Sequence, residues 1–120
     1  FGVVTEWYYR WLGGIRPDPN YPGFKEFILN PSMPEELDYV ESSYYSPFGK
    51  IVSNWRKNSS ESYIYEIKVP EGSVANVLLP ISPSQKIMIK KDDFKLENID
   101  GLRNGKFRLN NGDYIITVSD

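Results

Sequence analysis

Two kinds of side chain in this sequence have the chemistry to act on a ligand: carboxylates that could serve as acid and base, and aromatic rings that could stack on an apolar surface. Catalysis by a carboxylate pair needs the two groups facing each other across several ångströms. The adjacent acids, Glu35 with Glu36 and Asp92 with Asp93, sit in stretches rich in turn formers and read as solvated charge. Glu6 stands beside Trp7, but its spacing to Arg10 is that of a surface ion pair on a helix rather than of an acid in an aromatic pocket. The acids between Asp92 and Asp100 crowd together without the ordered ligand spacing and terminal glutamate of an EF-hand. The chain has no histidine and no cysteine, which excludes Ser-His-Asp and Cys-His nucleophiles, His-bearing metal sites and thiolate sites. No catalytic residue, metal site or cofactor site is assigned. Asn58, Ser59 and Ser60 form a glycosylation triplet, a pattern short enough to arise by chance.

The aromatic residues carry more information. Nine Tyr and three Trp bring the aromatic content to 15%, in keeping with a strand-rich protein. Trp55, Tyr44 and Tyr45 are the candidates for a sugar-stacking row, with Tyr39, Tyr63 and Tyr65 near them in the same aromatic set. The competing reading is that these rings fill a core, since Tyr63 and Tyr65 alternate in register with Ile67 and Val69.

The elements that must position these residues are strands. In SPFGKIVSNW, Ile51, Ser53 and Trp55 share one face; in SYIYEIKVP, Tyr63, Tyr65, Ile67 and Val69 share another, opposed by Glu66 and Lys68. Pro70, Glu71 and Gly72 form a turn into a third run, Val74 to Leu79, which is apolar on both faces and is expected to sit centrally in the same antiparallel sheet. GFKEFIL is a first strand and Leu37 to Tyr45 a second, with a mixed pattern that does not reveal its buried side. Beyond Pro80 come KIMIK, a short strand near Phe94 to Leu96, KFRL, the turn NNGD and DYIITVS, the last two strands being expected to pair as a hairpin. About eight short strands predict an all-β, antiparallel two-sheet β-sandwich of Greek-key type over residues 24–120.

Before it, Val4, Trp7, Tyr8, Trp11, Leu12 and Ile15 recur at helical spacing, and Gly13 and Gly14 end that helix, one of them left-handed. Residues 1–15 are thus a helix and residues 16–23, with three prolines, a linker. The helix begins on its own apolar stripe with no N-cap, as if continuing from a longer element, so the chain is expected to be a piece of a larger polypeptide. The face of Val4, Trp7, Tyr8 and Trp11 is then an interdomain face that would dock on the sandwich, pair with a second copy in a dimer, or stay exposed. A net charge of −2 with scattered basic residues leaves no footprint for nucleic acid and no polybasic patch for a membrane surface, and no apolar run is long enough to span a bilayer.

Three blocks, taken in order, carry a family resemblance. VVTEWYYRWLGGIRPDPNYPGFKEFIL resembles the junction of bacterial α-L-rhamnosidases (glycoside hydrolase family 78) between the last helix of the catalytic (α/α)6 barrel and a C-terminal β-sandwich. SYYSPFGKIVSNW is similar to that domain's Ser-Pro-aromatic-Gly-Lys-Ile-Val-Ser-any-Trp signature, and VPEGSVANVLLP to its following strand. The resemblance covers Val3 to Pro80 and loosens from Ile81 onward. It implies a parent glycoside hydrolase that removes terminal α-L-rhamnosyl residues with inversion; the compartment stays open, export of the parent to the periplasm or beyond being favoured. It also implies that both catalytic glutamates lie upstream of Phe1, leaving this chain non-catalytic. The barrel of the same parent chain is the implied partner. A carbohydrate-binding module for rhamnose-containing glycans is the alternative.

Overall fold

The computed structural model describes residues 13–18, 20, 22–33, 36–59, 62–82, 84–92, 94–96 and 104–119. The expected helix face of Val4, Trp7, Tyr8 and Trp11 lies outside the described residues. Among those described, ten strands form two sheets: β1 (Ile15–Pro17), β2 (Glu26–Leu29), β3 (Tyr39–Ser46), β4 (Gly49–Lys57), β5 (Tyr63–Val69), β6 (Val74–Leu78), β7 (Lys86–Lys91), β8 (Phe94–Leu96), β9 (Lys106–Leu109) and β10 (Gly112–Ser119). The smaller sheet runs β1-β2-β6-β9 and the larger β3-β4-β5-β10-β7-β8. Neighbours are antiparallel except β2 and β6, which run parallel. The described residues form an all-β sandwich.

Period-two alternation explains which face each strand buries. Ile51, Ser53 and Trp55 on β4, and Tyr63, Tyr65, Ile67 and Val69 on β5, all point into the core, as their spacing predicts. The ambiguous β3 resolves as Val40 and Ser42 inward, with Tyr44 half-buried beside them, and Tyr39, Glu41, Ser43 and Tyr45 outward. Phe27, Leu29, Ala75, Val77, Phe107 and Leu109 of the smaller sheet meet them from the other side. Removing these apolar faces from water supplies the driving force, at roughly 25 cal/mol per Å² of apolar area.

Three expectations need correction. β6 sits centrally, but in the smaller sheet between β2 and β9, not beside β5. Its two-faced apolarity fits a central strand and cannot say which sheet holds it. β9 and β10 do not form a hairpin: β9 pairs with β6, while β10 inserts between β5 and β7, so the intervening turn is an arch between sheets. The Tyr114 hydroxyl donates to the Asn110 carbonyl at 2.7 Å, pinning that arch. Ile15, expected to close the helix, and Arg16 and Pro17, expected in the linker, instead pair with β2 as the outermost strand. An edge is where a strand tolerates proline.

Candidate functional site

Two features of the sandwich stand out as places where it could do something beyond folding. The first is where the chain enters it. The Ser53 hydroxyl donates to the Gly13 carbonyl at 2.5 Å and lies 2.5 Å from the Tyr65 hydroxyl. Each hydroxyl carries one hydrogen, so with Ser53 donating to Gly13, Tyr65 donates to Ser53. Ser42 completes the cluster by donating to the Ser53 carbonyl at 2.7 Å. Ser53 and Tyr65 are both fully buried. Burial pushes the Tyr65 phenol far above the ordinary tyrosine value, the Ser53 hydrogen bond opposes it, and neighbouring Tyr63 adds to it; the ring stays neutral and remains a donor.

Only glycine fits the entry. A Cβ on Gly13 would lie 1.8 Å from Ser42 Oγ. Gly14 takes the left-handed conformation (φ 72°) expected at this pair, and a Cβ there would lie 2.1 Å from the Asn30 carbonyl carbon. Its carbonyl accepts the Asn30 N–H at 3.0 Å. The segment leading into β1 is therefore fastened to both sheets: to β4 through Ser53, and to the end of β2 through Asn30.

The second feature is the outer face of the larger sheet, where register lines up side chains from strands far apart in sequence. Tyr39, Arg56 and Ile64 form one cross-strand row; Glu41, Asn54, Glu66, Ile115 and Lys90 form the next. The Arg56 guanidinium carbon stands 4.9 Å from the Tyr39 ring centroid. Asn54 is fixed from both ends: its Oδ1 accepts the Ser42 N–H at 3.0 Å and its Nδ2 donates to Glu66 at 3.2 Å. Two hollows open here, one of about 310 Å³ over Tyr39, Glu41, Asn54 and Arg56, the other of about 440 Å³ over Val52, Lys68, Asp113 and Ile115. Glu66 lines both.

The sequence-predicted stacking residues are not brought together. Trp55 is 2% exposed on the inner face of β4, with the Lys57 ammonium 5.8 Å from its ring centroid. Tyr44 packs against Phe24, ring centroids 4.8 Å apart. Tyr45 is 75% exposed on the opposite face of β3, its ring 5.7 Å from the Lys50 ammonium. Consecutive strand residues must diverge, so Tyr44 and Tyr45 cannot share a surface. Of the paired acids, Glu36 and Asp92 are exposed, and their partners Glu35 and Asp93 lie outside the described residues. Among the described residues no group of three or more acids could hold a metal ion. Sequence reasoning missed the row of Glu41, Asn54 and Glu66. The signal was the alternation of β4 and β5, which places Asn54 and Glu66 outward; what was lacking was the register.

Comparison with known proteins gives a consistent result. The family model for the bacterial alpha-L-rhamnosidase C-terminal domain matches residues 14–94. Among curated proteins, an alpha-L-rhamnosidase of Alteromonas sp. (strain LOR) is 25% identical over 109 residues, 91% of this chain and 12% of the relative. An alpha-L-rhamnosidase of Formosa agariphila is 24% identical over 110 residues, again 12% of its length. Among solved structures, the alpha-L-rhamnosidase from Dictyoglumus thermophilum superposes with a TM-score of 0.75 at 26% identity, covering 100% of this chain and 14% of that one. The Streptomyces avermitilis alpha-L-rhamnosidase complexed with L-rhamnose has the same fold, with a TM-score of 0.73 at 24% identity over 98% of this chain and 11% of its own. The chain spans only 12% of the length of these curated relatives.

Proposed function

The chain belongs to the family of bacterial alpha-L-rhamnosidase C-terminal domains, and from that premise we propose that it is the non-catalytic accessory domain of an α-L-rhamnosidase, packing on the catalytic barrel and steadying it. The parent would be a glycoside hydrolase acting on terminal α-L-rhamnosyl residues. The observation that carries this reading is the clamped entry: Gly13 is bonded to Ser53 inside the core, and Gly14 to Asn30. Two consecutive residues at the entry are thus fastened to the sandwich, one to each sheet. Anchorage of Gly13 and Gly14 to the body of the sandwich suits a domain that braces a neighbour. That the relatives are some eight times longer than their match to this chain supports a role as part of a larger body.

Hydrolysis with inversion needs one carboxyl as acid and another as base, shielded enough for the first to stay protonated. Glu41 and Glu66 share a face two strands apart, but both are exposed on an open sheet. The reading is tested in two steps. The chain alone should release no nitrophenol from an aryl α-L-rhamnoside. In the complete rhamnosidase polypeptide, Ser53→Ala should shorten the half-life of activity at elevated temperature while leaving KM unchanged. Activity in the isolated chain, or a raised KM with an unaltered half-life, would overturn it.

A further inference from the structure

The geometry points to a second, separate role for the outer face of the larger sheet: a groove centred on Glu66 that binds an uncharged oligosaccharide. This does not rest on the bracing role, which uses the core side of β4. Four carboxylates, Glu41, Glu66, Asp92 and Asp113, interleave there with three cations, Arg56, Lys68 and Lys90. So even a balance gives neither a polyanion nor a polycation much to gain. It does give a neutral polyol alternating donors and acceptors along its length, because each carboxylate can accept a pair of hydroxyls and each cation or amide can donate to one.

The apolar surfaces of the groove suit the same ligand. Tyr39 is 53% exposed and Ile115 46% exposed, one in each hollow. Arg56 lies over the Tyr39 ring, which orients it, and a ring held in this way offers a platform for the C–H face of a sugar. Asn54 and Glu66 are already tied to each other and, through Ser42, to the backbone of β3, so the polar centre is set before any ligand arrives. A protein partner fits less well, since the core of a protein interface is depleted of charge and this face carries charged groups in every row.

The test uses the complete chain with an array of neutral oligosaccharides containing rhamnose, xylose, galactose or glucose, and oligogalacturonate as the charged comparison. At least one neutral ligand should bind, with amide shift changes confined to β3, β4, β5, β10 and β7. Tyr39→Ala and Glu66→Gln should each weaken it by about tenfold or more, equivalent to ~1.4 kcal/mol, and Tyr45→Ala by less than about twofold. Glu66→Gln keeps an acceptor for Asn54, so its result stands even if Tyr39→Ala disturbs the sheet. Any of four results overturns the proposal: no neutral ligand bound at about 10 mM, tenfold above the ~1 mM of a complex worth ~4 kcal/mol; preference for oligogalacturonate; shifts elsewhere on the molecule; or affinity unchanged in Glu66→Gln.

Discussion

Replacing Ser53 by alanine should cost this domain more stability than its single oxygen suggests. The Ser53 hydroxyl is the hub of a dry chain of hydrogen bonds, accepting from Tyr65 and donating to the Gly13 carbonyl. Removing it orphans a buried phenol and a buried carbonyl together. Each uncompensated group costs ~1–3 kcal/mol, so the loss from the two should be about 2–6 kcal/mol. Against the ~5–15 kcal/mol that holds a typical domain together, that is a large fraction. Urea unfolding, followed by circular dichroism and by tryptophan fluorescence, measures it, with the denaturant slope unchanged if the unfolded state is unaffected. A thermodynamic cycle sharpens the test. Tyr65→Phe removes the phenol that Ser53→Ala would orphan, so the double variant should be more stable than additivity predicts by about 1 kcal/mol or more. A loss under about 0.5 kcal/mol for Ser53→Ala, or additivity within ~0.3 kcal/mol, would refute the hub.

Gly14→Ala should destabilise by about 2 kcal/mol or more, because its positive φ and the 2.1 Å approach to the Asn30 backbone leave nothing flexible to yield; a melting temperature within a degree or so of wild type would contradict this. Gly13→Ala collides instead with a side chain, so Ser42→Gly in the same protein should restore part of the lost stability, and no restoration would show that the clash is not with Ser42. Burial raises the phenols of Tyr63 and Tyr65 above the ordinary tyrosine value of 10.0. The unfolded phenols therefore ionise first: stability is fully present below pH 10, and falls as pH climbs from there toward the folded values, by ~1.4 kcal/mol per pH unit for each ring. Urea midpoints between about pH 9 and 11 report the slope, which Tyr65→Phe should reduce by one ring's share. Arg108→Ala should cost less than about 1 kcal/mol, since its 3.3 Å bridge to Glu26 comes from a side chain 63% exposed; a larger loss in the same assay would mean that Arg108 also packs on the sheet.

Alternation alone made β4 and β5 legible, because Ile51, Ser53 and Trp55, or Tyr65 and Ile67, can face only one way once a strand is granted. It could not assign partners. Val74 to Leu79 is apolar on both faces whether it lies beside β5 or, as it does, between β2 and β9. The turn at Asn110, Asn111 and Gly112 has hairpin chemistry, and what decides against a hairpin is the partners awaiting Phe107 and Ile116 in different sheets, together with the Tyr114 bond back to Asn110. The aromatic row failed to assemble for a local reason, the opposite facing of Tyr44 and Tyr45. The groove around Glu66 was invisible for a non-local one, since Glu41, Asn54 and Glu66 become neighbours only through the registers of β3, β4 and β5.

The position of β10 governs how the domain comes into being on the ribosome. The last strand in sequence order occupies an interior place in the larger sheet, bonded on one side to β5 and on the other to β7. Until residues 112–119 have been synthesised, β5 and β7 each present an open edge, and the inner faces that Tyr114, Ile116 and Val118 will cover stay wet. The larger sheet therefore stays in two parts, β3-β4-β5 and β7-β8, until β10 joins them through pairings distant in sequence, a non-local step that makes for slower folding. A product truncated within β10 would be left with two adhesive edges instead of a finished sheet, and cellular quality control would encounter it as an aggregating species rather than as a weakened domain.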